Sequence, residues 1–247
     1  MIKDAGEIAF LRKAADATVV AHRAALTAVR NGAAENEVAG VIEYAYRRSG
    51  CEGPGFSSIV GSGASSTVLH YSQNSGTMHD GEVVVIDIGA RCSMYVSDVT
   101  RTLPVSGHFT PRQREIYDIV LAAQQAAMAA YQPDVSTIGR EAPNSLYGTA
   151  FDFINTHGKD LHDAPLGKYF IHGLSHYVGM DVHDTGDNAT PLRPGAVFTI
   201  EPGIYIPEEK IGVRIEDTFL VRADGTLECL SCAAIKDPAE IEKAMKR

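Results

Sequence analysis

Residues 83–102 read VVVIDIGARCSMYVSDVTRT, and this stretch decides how the rest of the chain is interpreted. The four apolar residues 83–86 lead directly into Asp87, which is typical of a strand buried on both faces. Asp98 follows eleven residues later in a second strand-like stretch, with a turn available at residues 89–91. A hairpin would bring the two carboxylates together on neighbouring strands. Because a buried carboxylate is costly to desolvate unless it is paired or binds a metal, this pair predicts either a metal site or two ordinary strand-end aspartates.

Three later stretches favour the metal site. FIHGLSHYVGMDVHD, at 170–184, holds three of the nine histidines of the chain: His172, His176 and His183. If 171–178 is extended, His172 and His176 point to the same face, because side chains alternate with period two. A glutamate ends an apolar stretch in FTIEPGIYI and again in IGVRIEDTFL. Five candidate ligands therefore follow one another along the chain: Asp87, Asp98, His176, Glu201 and Glu216.

The strings DIGA, SDVTRT, HGLSHYVGMDVHD, EPGIYI and VRIED resemble the catalytic domain of the aminopeptidase P and prolidase group. The resemblance runs from about residue 4 to the end of the chain. It implies an α+β pita-bread fold, in which two pseudo-symmetric α-α-β halves surround a curved, mostly antiparallel sheet. It also implies one catalytic domain over residues 1–247, without the N-terminal domain that family members carry. The interval of fifteen residues between Glu201 and Glu216 is short, as in prolidase-like members.

The resemblance implies a role for each of the five candidate ligands. Asp98 and Glu216 would bridge two divalent ions, Asp87 would hold one of them, and His176 with Glu201 would hold the other. Two divalent cations would balance four carboxylates that could not all stay ionised alone. A carboxylate-rich set with one imidazole suits Mn²⁺, while Zn²⁺, Co²⁺ or Fe²⁺ stay open.

The resemblance further implies which side chains carry out catalysis. Glu201 would shuttle a proton, while His70 of VLHYSQN and His183 would steady the scissile carbonyl. His172 would help to wall a proline pocket, and Arg214 would orient the bridging carboxylate two residues after it. The implied activity is that of a metal-dependent exopeptidase that hydrolyses the Xaa-Pro bond at peptide N-termini, with peptides carrying proline at the second position as substrates.

Three alternatives stay open on the sequence alone. The first is an Xaa-Pro dipeptidase, or prolidase, in which a cationic residue pins the free carboxylate of a dipeptide. The second is a non-catalytic peptide-binding module on the same fold, although none of the five ligand positions is lost. The third is a chain that acts only within a larger assembly, and a homodimer is left open as well.

Composition excludes several classes of partner. The net charge is −9, and no cluster of Lys and Arg forms a nucleic-acid footprint. No stretch approaches the roughly 18 consecutive apolar residues of a membrane span. The start, MIKDAGEIAF, lacks the pattern of an export signal. We therefore expect a cytoplasmic protein that binds neither nucleic acid nor membrane.

The chain contains four cysteines: Cys51, Cys92, Cys229 and Cys232. Four cysteines in a chain of this length do not suggest a disulfide framework. The single CxxC at 229–232 has no second pair to complete a zinc site. We expect four reduced thiols, with Cys92 near the metals.

Helical periodicity and caps predict four helices. The first begins at the capping pattern Asp4-x-x-Glu7 and ends near Asn31-Gly32, with His22 as a packed core residue. The others are expected at about 35–48, 110–131 and, more irregularly, 136–156. Strands are expected at roughly 56–61, 83–90, 94–103, 171–178, 196–200 and 211–221.

Overall fold

The second helix begins and ends where the sequence predicts, and the first begins there but ends at Ala28, shortly before the predicted stop at Asn31-Gly32. In the computed structural model, which describes residues 2–246, the backbone N–H of Glu7 donates to the side chain of Asp4 at 2.9 Å, and the backbone N–H of Asp4 donates to the side chain of Glu7 at 2.9 Å. This capping box starts helix α1 (Ala5–Ala28). Helix α2 (Glu35–Arg48) packs against it and ends before Gly50, whose φ of 75° suits a glycine after a helix.

Of the three remaining helices, one agrees with the prediction, one starts later than predicted and one was not predicted. They are α3 (Pro111–Ala130), α4 (Leu146–His157) and α5 (Pro238–Met245). A second capping box between Thr110 and Gln113 starts α3. The prediction that the fourth helix starts at 136 is wrong, since residues 136–145 form a loop. Pro143 lacks the backbone donor that a helix needs, and Asn144 has a left-handed φ of 54°. Helix α5 was not predicted.

Eleven strands are found among the described residues, and every strand pair is antiparallel. The first half contributes β1 (Gly53–Pro54), β2 (Ile59–Ser62), β3 (Val83–Ile88), β4 (Ala90–Cys92), β5 (Tyr95–Val96) and β6 (Val99–Pro104). The second half contributes β7 (Val197–Ile200), β8 (Gly203–Ile206), β9 (Ile211–Arg214), β10 (Asp217–Val221) and β11 (Leu227–Cys229). Each half thus has two helices followed by strands, as predicted, and α5 follows the last strand of the second half.

Strands β3 and β6 bring the first two candidate ligands together. Asp87 faces Thr100 and Ile88 faces Val99 across the pair, so Asp98 lies at the end of the ladder beside Asp87. The predicted turn at 89–91 is wrong, because β4 and β5 form a small hairpin there. That hairpin turns at Ser93 and Met94, both with positive φ.

The segment at 171–178 is not a strand, which corrects the prediction. It runs beside β7 and shares three backbone hydrogen bonds with the segment 197–201, with only an isolated bridge at Tyr177. Gly173 lies within this stretch and Gly179 directly follows it, and glycine weakens the tendency of a segment to form a strand. The predicted strand at 211–221 is also interrupted at residues 215–216. There the chain leaves its pairing with β8 and begins its pairing with β7.

The two halves are joined across the middle of the molecule by hydrogen bonds between β6 and the β9–β10 segment. The backbone N–H of Glu216 donates to the carbonyl of Thr100 at 3.0 Å. The Thr102 hydroxyl donates to the carbonyl of Arg214 at 3.0 Å, and the Thr218 hydroxyl donates to that of Asp98 at 2.7 Å. Candidate ligands from both halves are therefore held at the same junction.

The expectation of four reduced thiols is wrong. Cys51 is bonded to Cys92, because the pairing of β1 with β4 brings their Cα atoms to 4.5 Å. Cys229 is bonded to Cys232, with Cα atoms 5.6 Å apart, within the usual disulfide range. Cys92 is fully buried but does not line the cavity described below. Reduced thiols therefore no longer support a cytoplasmic location for this protein.

His22 is a packed core residue, as predicted. Its side chain is 4% exposed, and Nε2 lies 3.0 Å from the carbonyl oxygen of Val99, to which it donates. Burial, and then the nearby positive charge of Arg101, lowers the pKa of His22 to about 3. Separately, among residues 2–246 no helix has the length and apolarity needed to cross a membrane.

We predict that His22 makes the protein less stable in mild acid. Its pKa is about 3 when folded and 6.5 in the reference state, so the unfolded chain binds more protons between these values. The free energy of unfolding therefore falls as pH drops through this window. Between pH 7 and pH 5 the loss amounts to about 2 kcal/mol. Urea unfolding of metal-free protein should show this difference between wild type and His22→Gln, which keeps a donor but does not titrate. Parallel pH profiles for the two proteins would contradict the prediction.

Candidate metal centre

All nine side chains proposed from the sequence line one cavity of about 200 Å³ at the junction of the two halves. They are His70, Asp87, Asp98, His172, His176, His183, Glu201, Arg214 and Glu216. The first half supplies the two aspartates from β3 and the residue before β6. The second half supplies Glu201 after β7 and Glu216 between β9 and β10. Leu69, Gly173 and Ser175 complete the lining.

His176 lies at the centre of the carboxylates. Its Nε2 atom is 3.3 Å from Oδ2 of Asp98, 3.2 Å from Oε1 of Glu201 and 3.9 Å from Oε1 of Glu216. One ligand atom each from Asp98, His176 and Glu216 lies within 4.8 Å of the others. Four donor side chains that are far apart in sequence thus surround one small volume.

The orientation of the His176 ring suits a metal ligand. Its Nδ1 lies 3.2 Å from the carbonyl oxygen of Tyr177, a partner that requires an N–H on Nδ1. When the imidazole is neutral, as a metal ligand must be, its lone pair is then on Nε2, which points at the carboxylates. A histidine ligand usually donates its other ring N–H to a carbonyl or carboxylate in this way. The backbone N–H of His176 is itself fixed by the Thr199 hydroxyl at 3.2 Å.

Buried oxygens without partners provide a second sign that cations fit here. Within residues 2–246, Oδ1 of Asp87, Oδ1 of Asp98 and Oε1 of Glu216 are buried and have no hydrogen-bond partner. Leaving such atoms unsatisfied is costly, and native proteins rarely do so. Carboxylate oxygens together with one imidazole nitrogen form a donor set for hard or borderline divalent ions. The residues present therefore fit the divalent metal ions that the resemblance implies.

The pKa values in the cluster show how crowded the negative charge is. Burial, and then the charge of Asp87, raises the pKa of Asp98 to about 8. Burial and the charge of Asp98 also raise the pKa of Glu216 well above its usual range. Burial acts in the same direction on Glu201, but the hydrogen bond to His176 outweighs it and lowers that pKa to about 2. Without cations, protons must neutralise part of the site.

Arg214 is the permanent positive charge of the centre, and its contacts differ from the predicted ones. Its Nη2 atom donates to Oδ2 of Asp87 at 2.7 Å, and the Arg214 side chain is almost fully buried. It does not bond Glu216 directly. Instead Nε of Arg214 donates to the hydroxyl of Thr100 at 3.1 Å, and that hydroxyl donates to Oε2 of Glu216 at 2.5 Å. Arg214 thus orients Asp87 directly and Glu216 through Thr100.

Tyr205 links Arg214 to His172, which the sequence analysis did not foresee. Nη1 of Arg214 donates to the Tyr205 hydroxyl at 2.8 Å, and this hydroxyl lies 2.8 Å from Nε2 of His172. The other ring nitrogen of His172 lies 2.7 Å from the carbonyl of Gly173, so it carries the proton. The ring of His172 is therefore fixed at both nitrogens, and burial lowers its pKa, which favours the neutral form. Tyr205 lies inside the motif EPGIYI and Thr100 inside SDVTRT. Their position within these motifs is the sequence signal that could have identified them.

His70 and His183 lie at the open side of the cavity. The rings of His183 and His176 have centroids 4.1 Å apart. Partial burial, and then the charge of His176, lowers the pKa of His183. The next residue, Asp184, forms an ion pair with Lys3 at 2.5 Å, so the beginning of the chain anchors the His183 loop. The roles of these histidines stay predictions.

Comparison with known proteins identifies relatives of this chain. Residues 9–223 match the pattern of metallopeptidase family M24. An Xaa-Pro aminopeptidase of Escherichia coli (strain K12) is 38% identical over 269 residues, covering 99% of this chain and 59% of the relative. An Xaa-Pro dipeptidase of Pyrococcus furiosus is 39% identical over 229 residues, covering 91% and 62%.

Solved structures give the same result. Proline aminopeptidase P II from Yersinia pestis superposes with a TM-score of 0.89 at 37% identity, covering 99% of this chain and 60% of that one. A Zn-substituted E. coli aminopeptidase P in complex with product gives a TM-score of 0.90 at 36% identity, covering 99% and 59%. The chain spans less than two thirds of the length of each of these relatives.

We predict that Arg214→Met strongly destabilises the metal-free protein. The change leaves the buried carboxylate of Asp87 without its partner, and breaking a buried ion pair on one side costs about 3–5 kcal/mol. Urea unfolding of chelator-treated protein measures the loss. Arg222→Met serves as the control, because the Arg222 side chain is 53% exposed in its pair with Glu228, and exposed pairs contribute about 1 kcal/mol or less. If both variants lost the same free energy of unfolding, the buried pair of Arg214 with Asp87 would contribute no more to stability than an exposed pair.

Proposed function

Because this chain belongs to metallopeptidase family M24, we propose that it is a two-metal exopeptidase that hydrolyses the Xaa-Pro bond at peptide N-termini. The observation that carries the proposal is the cluster of buried carboxylate oxygens without partners, which lies around Nε2 of His176 at the junction of the two halves. The Xaa-Pro specificity is supported by the printed activities of the relatives, which are aminopeptidases and dipeptidases of this kind.

Divalent metal ions belong to this family's chemistry, and five residues of this chain would hold them. They are Asp87, Asp98, His176, Glu201 and Glu216. When bound, the metals supply Lewis-acid polarisation of the peptide carbonyl and lower the pKa of attacking water. We propose Mn²⁺ as the natural ion, since four of the five ligands offer oxygen. Zn²⁺ is the principal competitor, because a Zn-substituted neighbour has been solved.

Glu201 has the position of a proton carrier. One of its oxygens receives the Thr199 hydroxyl at 3.1 Å, and the other lies 3.9 Å from Nδ1 of His172, on the cavity side. Glu201 accepts a proton from the attacking water and passes it to the proline nitrogen as the bond breaks. The proline nitrogen needs this proton because it leaves as an amine, and in the substrate it is a tertiary amide nitrogen without an N–H of its own.

The histidines divide the remaining work between them. His70 and His183, on the open side, hydrogen-bond the scissile carbonyl and the charge that develops on it. His172 is already fixed at both ring nitrogens and packs edge-on against Phe170 and Tyr205, with ring centroids 5.2 and 5.3 Å away. It therefore acts as a wall for the proline ring and does not transfer protons.

The cavity lining favours an aminopeptidase over a strict dipeptidase. A dipeptidase needs a cation that pins the free carboxylate of its substrate. Among the described residues, Arg214 is the only Lys or Arg that lines the cavity, and Asp87, Thr100 and Tyr205 already bind its guanidinium. Longer peptides can therefore extend out of the cavity.

A neighbouring cavity of about 240 Å³ indicates the preferred first residue. It shares His70, Asp87, Asp98 and His183 with the metal centre, and its other lining residues are the apolar Phe56, Ile59 and Val182 together with Ser57 and Ser72. We therefore expect the first residue of the substrate to have an apolar side chain, which would pack against Phe56, Ile59 and Val182. The single-domain organisation, the homodimer and the cytoplasmic location stay predictions of the sequence.

We predict that Asp98→Asn removes metal from both positions. By family resemblance Asp98 would hold both ions, so the loss of its charge would weaken the binding of both. Changes to residues that only hydrogen-bond a metal ligand lower metal affinity or activity by about 10- to 100-fold. Loss of a ligand itself should therefore lower kcat/KM by more than about 100-fold. Metal analysis by mass spectrometry after dialysis gives the stoichiometry, with Asp118→Asn on the exposed face of α3 as control. Two tightly bound ions in Asp98→Asn would refute the bridging role.

We predict Mn²⁺-dependent release of the first residue from both an Xaa-Pro dipeptide and an Xaa-Pro-Yaa-Yaa tetrapeptide. Metal-stripped protein should be inactive, and activity should return on addition of Mn²⁺. Mass spectrometry of the products identifies the bond that is cut.

The outcomes of this assay separate the candidate functions. Turnover of the dipeptide alone would establish the prolidase alternative. No hydrolysis of either peptide, with metal measured in the protein, would favour the peptide-binding module. Cleavage of Xaa-Ala peptides as fast as Xaa-Pro peptides would show that the enzyme is not specific for proline.

A further inference from the structure

The loop that carries His70 is held by a buried carboxylate that the chemistry described above does not use. Glu35 is the first residue of α2, and its side chain is 0% exposed. From the sequence it resembles an ordinary acidic residue in the first turn of a helix. Its contacts are instead with the segment 62–76, which connects β2 to the approach of β3.

Four donors converge on this carboxylate. Oε1 of Glu35 accepts hydrogen bonds from the backbone N–H and the hydroxyl of Ser62, both at 2.8 Å. Oε2 accepts from the Tyr71 hydroxyl at 2.8 Å and from the backbone N–H of Gly76 at 2.7 Å. A carboxylate can accept all four, and bonds to a charged acceptor are the stronger kind.

These contacts lie at both stems of the loop and beside its functional residue. Ser62 is the last residue of β2 and Gly76 is on the returning stem, so one side chain joins the two. Tyr71 directly follows His70. In addition, Asn74 accepts from the backbone N–H of Val60 at 2.9 Å, which ties the returning stem to β2. Between its anchors the segment is largely irregular, with a 3₁₀ turn at Gly63–Thr67, and His70 is exposed.

The fit between Glu35 and Gly76 is close. A Cβ atom placed on Gly76 would lie 2.9 Å from the carboxyl carbon and from each carboxyl oxygen of Glu35. The backbone N–H of Glu35 also donates to the carbonyl of Gly76 at 3.0 Å. Glycine at position 76 therefore allows the loop to approach the buried carboxylate.

We propose that Glu35 is a positioning residue that fixes the His70 loop against the metal centre, so that His70 meets the substrate carbonyl in one orientation. The proposal rests on the exopeptidase function proposed above. Glu35 acts through Tyr71 and the two loop stems and touches neither substrate nor ligand. Its loss should therefore leave metal binding intact and weaken only the step that uses His70.

Glu35→Gln tests this directly. One of its two terminal atoms becomes an NH₂ donor that faces other donors, so the anchor is broken while the volume is kept. Hydrogen exchange of the peptide amides at 63–76 should become faster, and kcat/KM should fall about 10- to 100-fold, as expected for a misplaced group near the reaction. Metal stoichiometry should be unchanged. Glu37→Gln, an exposed acid two residues later on the same helix that pairs with Arg30, is the matched control and should change neither quantity.

A double mutant distinguishes positioning from general damage. If Glu35 acts through His70, then Glu35→Gln costs little further activity in a His70→Ala background. An equal loss in both backgrounds would overturn the proposal. Gly76→Ala is the second route should Glu35→Gln fold poorly, because it displaces the carboxylate without removing its charge, and it should also speed exchange at 63–76.

The exchange experiment does not depend on the proposed reaction. If wild type cleaves no Xaa-Pro peptide, the proposed function fails, and the exchange comparison alone still decides whether Glu35 anchors the loop. Unchanged exchange at 63–76 in both Glu35→Gln and Gly76→Ala would overturn the anchor itself.

Discussion

The rest of the structure depends on four carboxylates around one imidazole, three of them buried and that of Glu201 half-buried. Placing negative charges together inside a protein is unfavourable unless positive charge is supplied. Arg214 supplies one such charge, bound to Asp87 at 2.7 Å. The remaining excess raises the pKa values of Asp98 and Glu216, and divalent cations would remove it. The carboxylates can be adjacent only because β6 of one half meets the β9–β10 segment of the other, so the centre exists only when both halves are folded.

Much of this arrangement was predictable because the sequence signals are local or motif-based. The capping boxes at Asp4 and Thr110 placed the starts of α1 and α3. The apolar run before Asp87 placed β3, and the resemblance placed nine side chains that do line one cavity. The structural neighbours at 35–37% identity confirm the α+β pita-bread fold.

What could not be predicted depends on contacts between distant segments. The disulfide between Cys51 and Cys92 requires β1 to pair with β4, and composition alone argued for free thiols. The segment at 171–178 contains strand-like residues, yet its backbone bonds only in part to the neighbouring strand. Glu35 gave no signal, because an acid in the first turn of a helix is ordinary and its partners lie 27 to 41 residues away.

The hydrogen-bonded series Asp87–Arg214–Tyr205–His172 joins a proposed ligand at one end to the proposed wall of the substrate pocket at the other. A change in charge at Asp87 changes how strongly this carboxylate binds the Arg214 guanidinium. The Tyr205 hydroxyl, which contacts both Arg214 and His172, transmits that change to the imidazole of His172. Thermodynamic linkage then makes the effect reciprocal: if ion occupancy favours the ring orientation that admits the substrate, the substrate strengthens ion binding by the same factor. Under that condition, affinity for the metal ions and affinity for the peptide would be coupled.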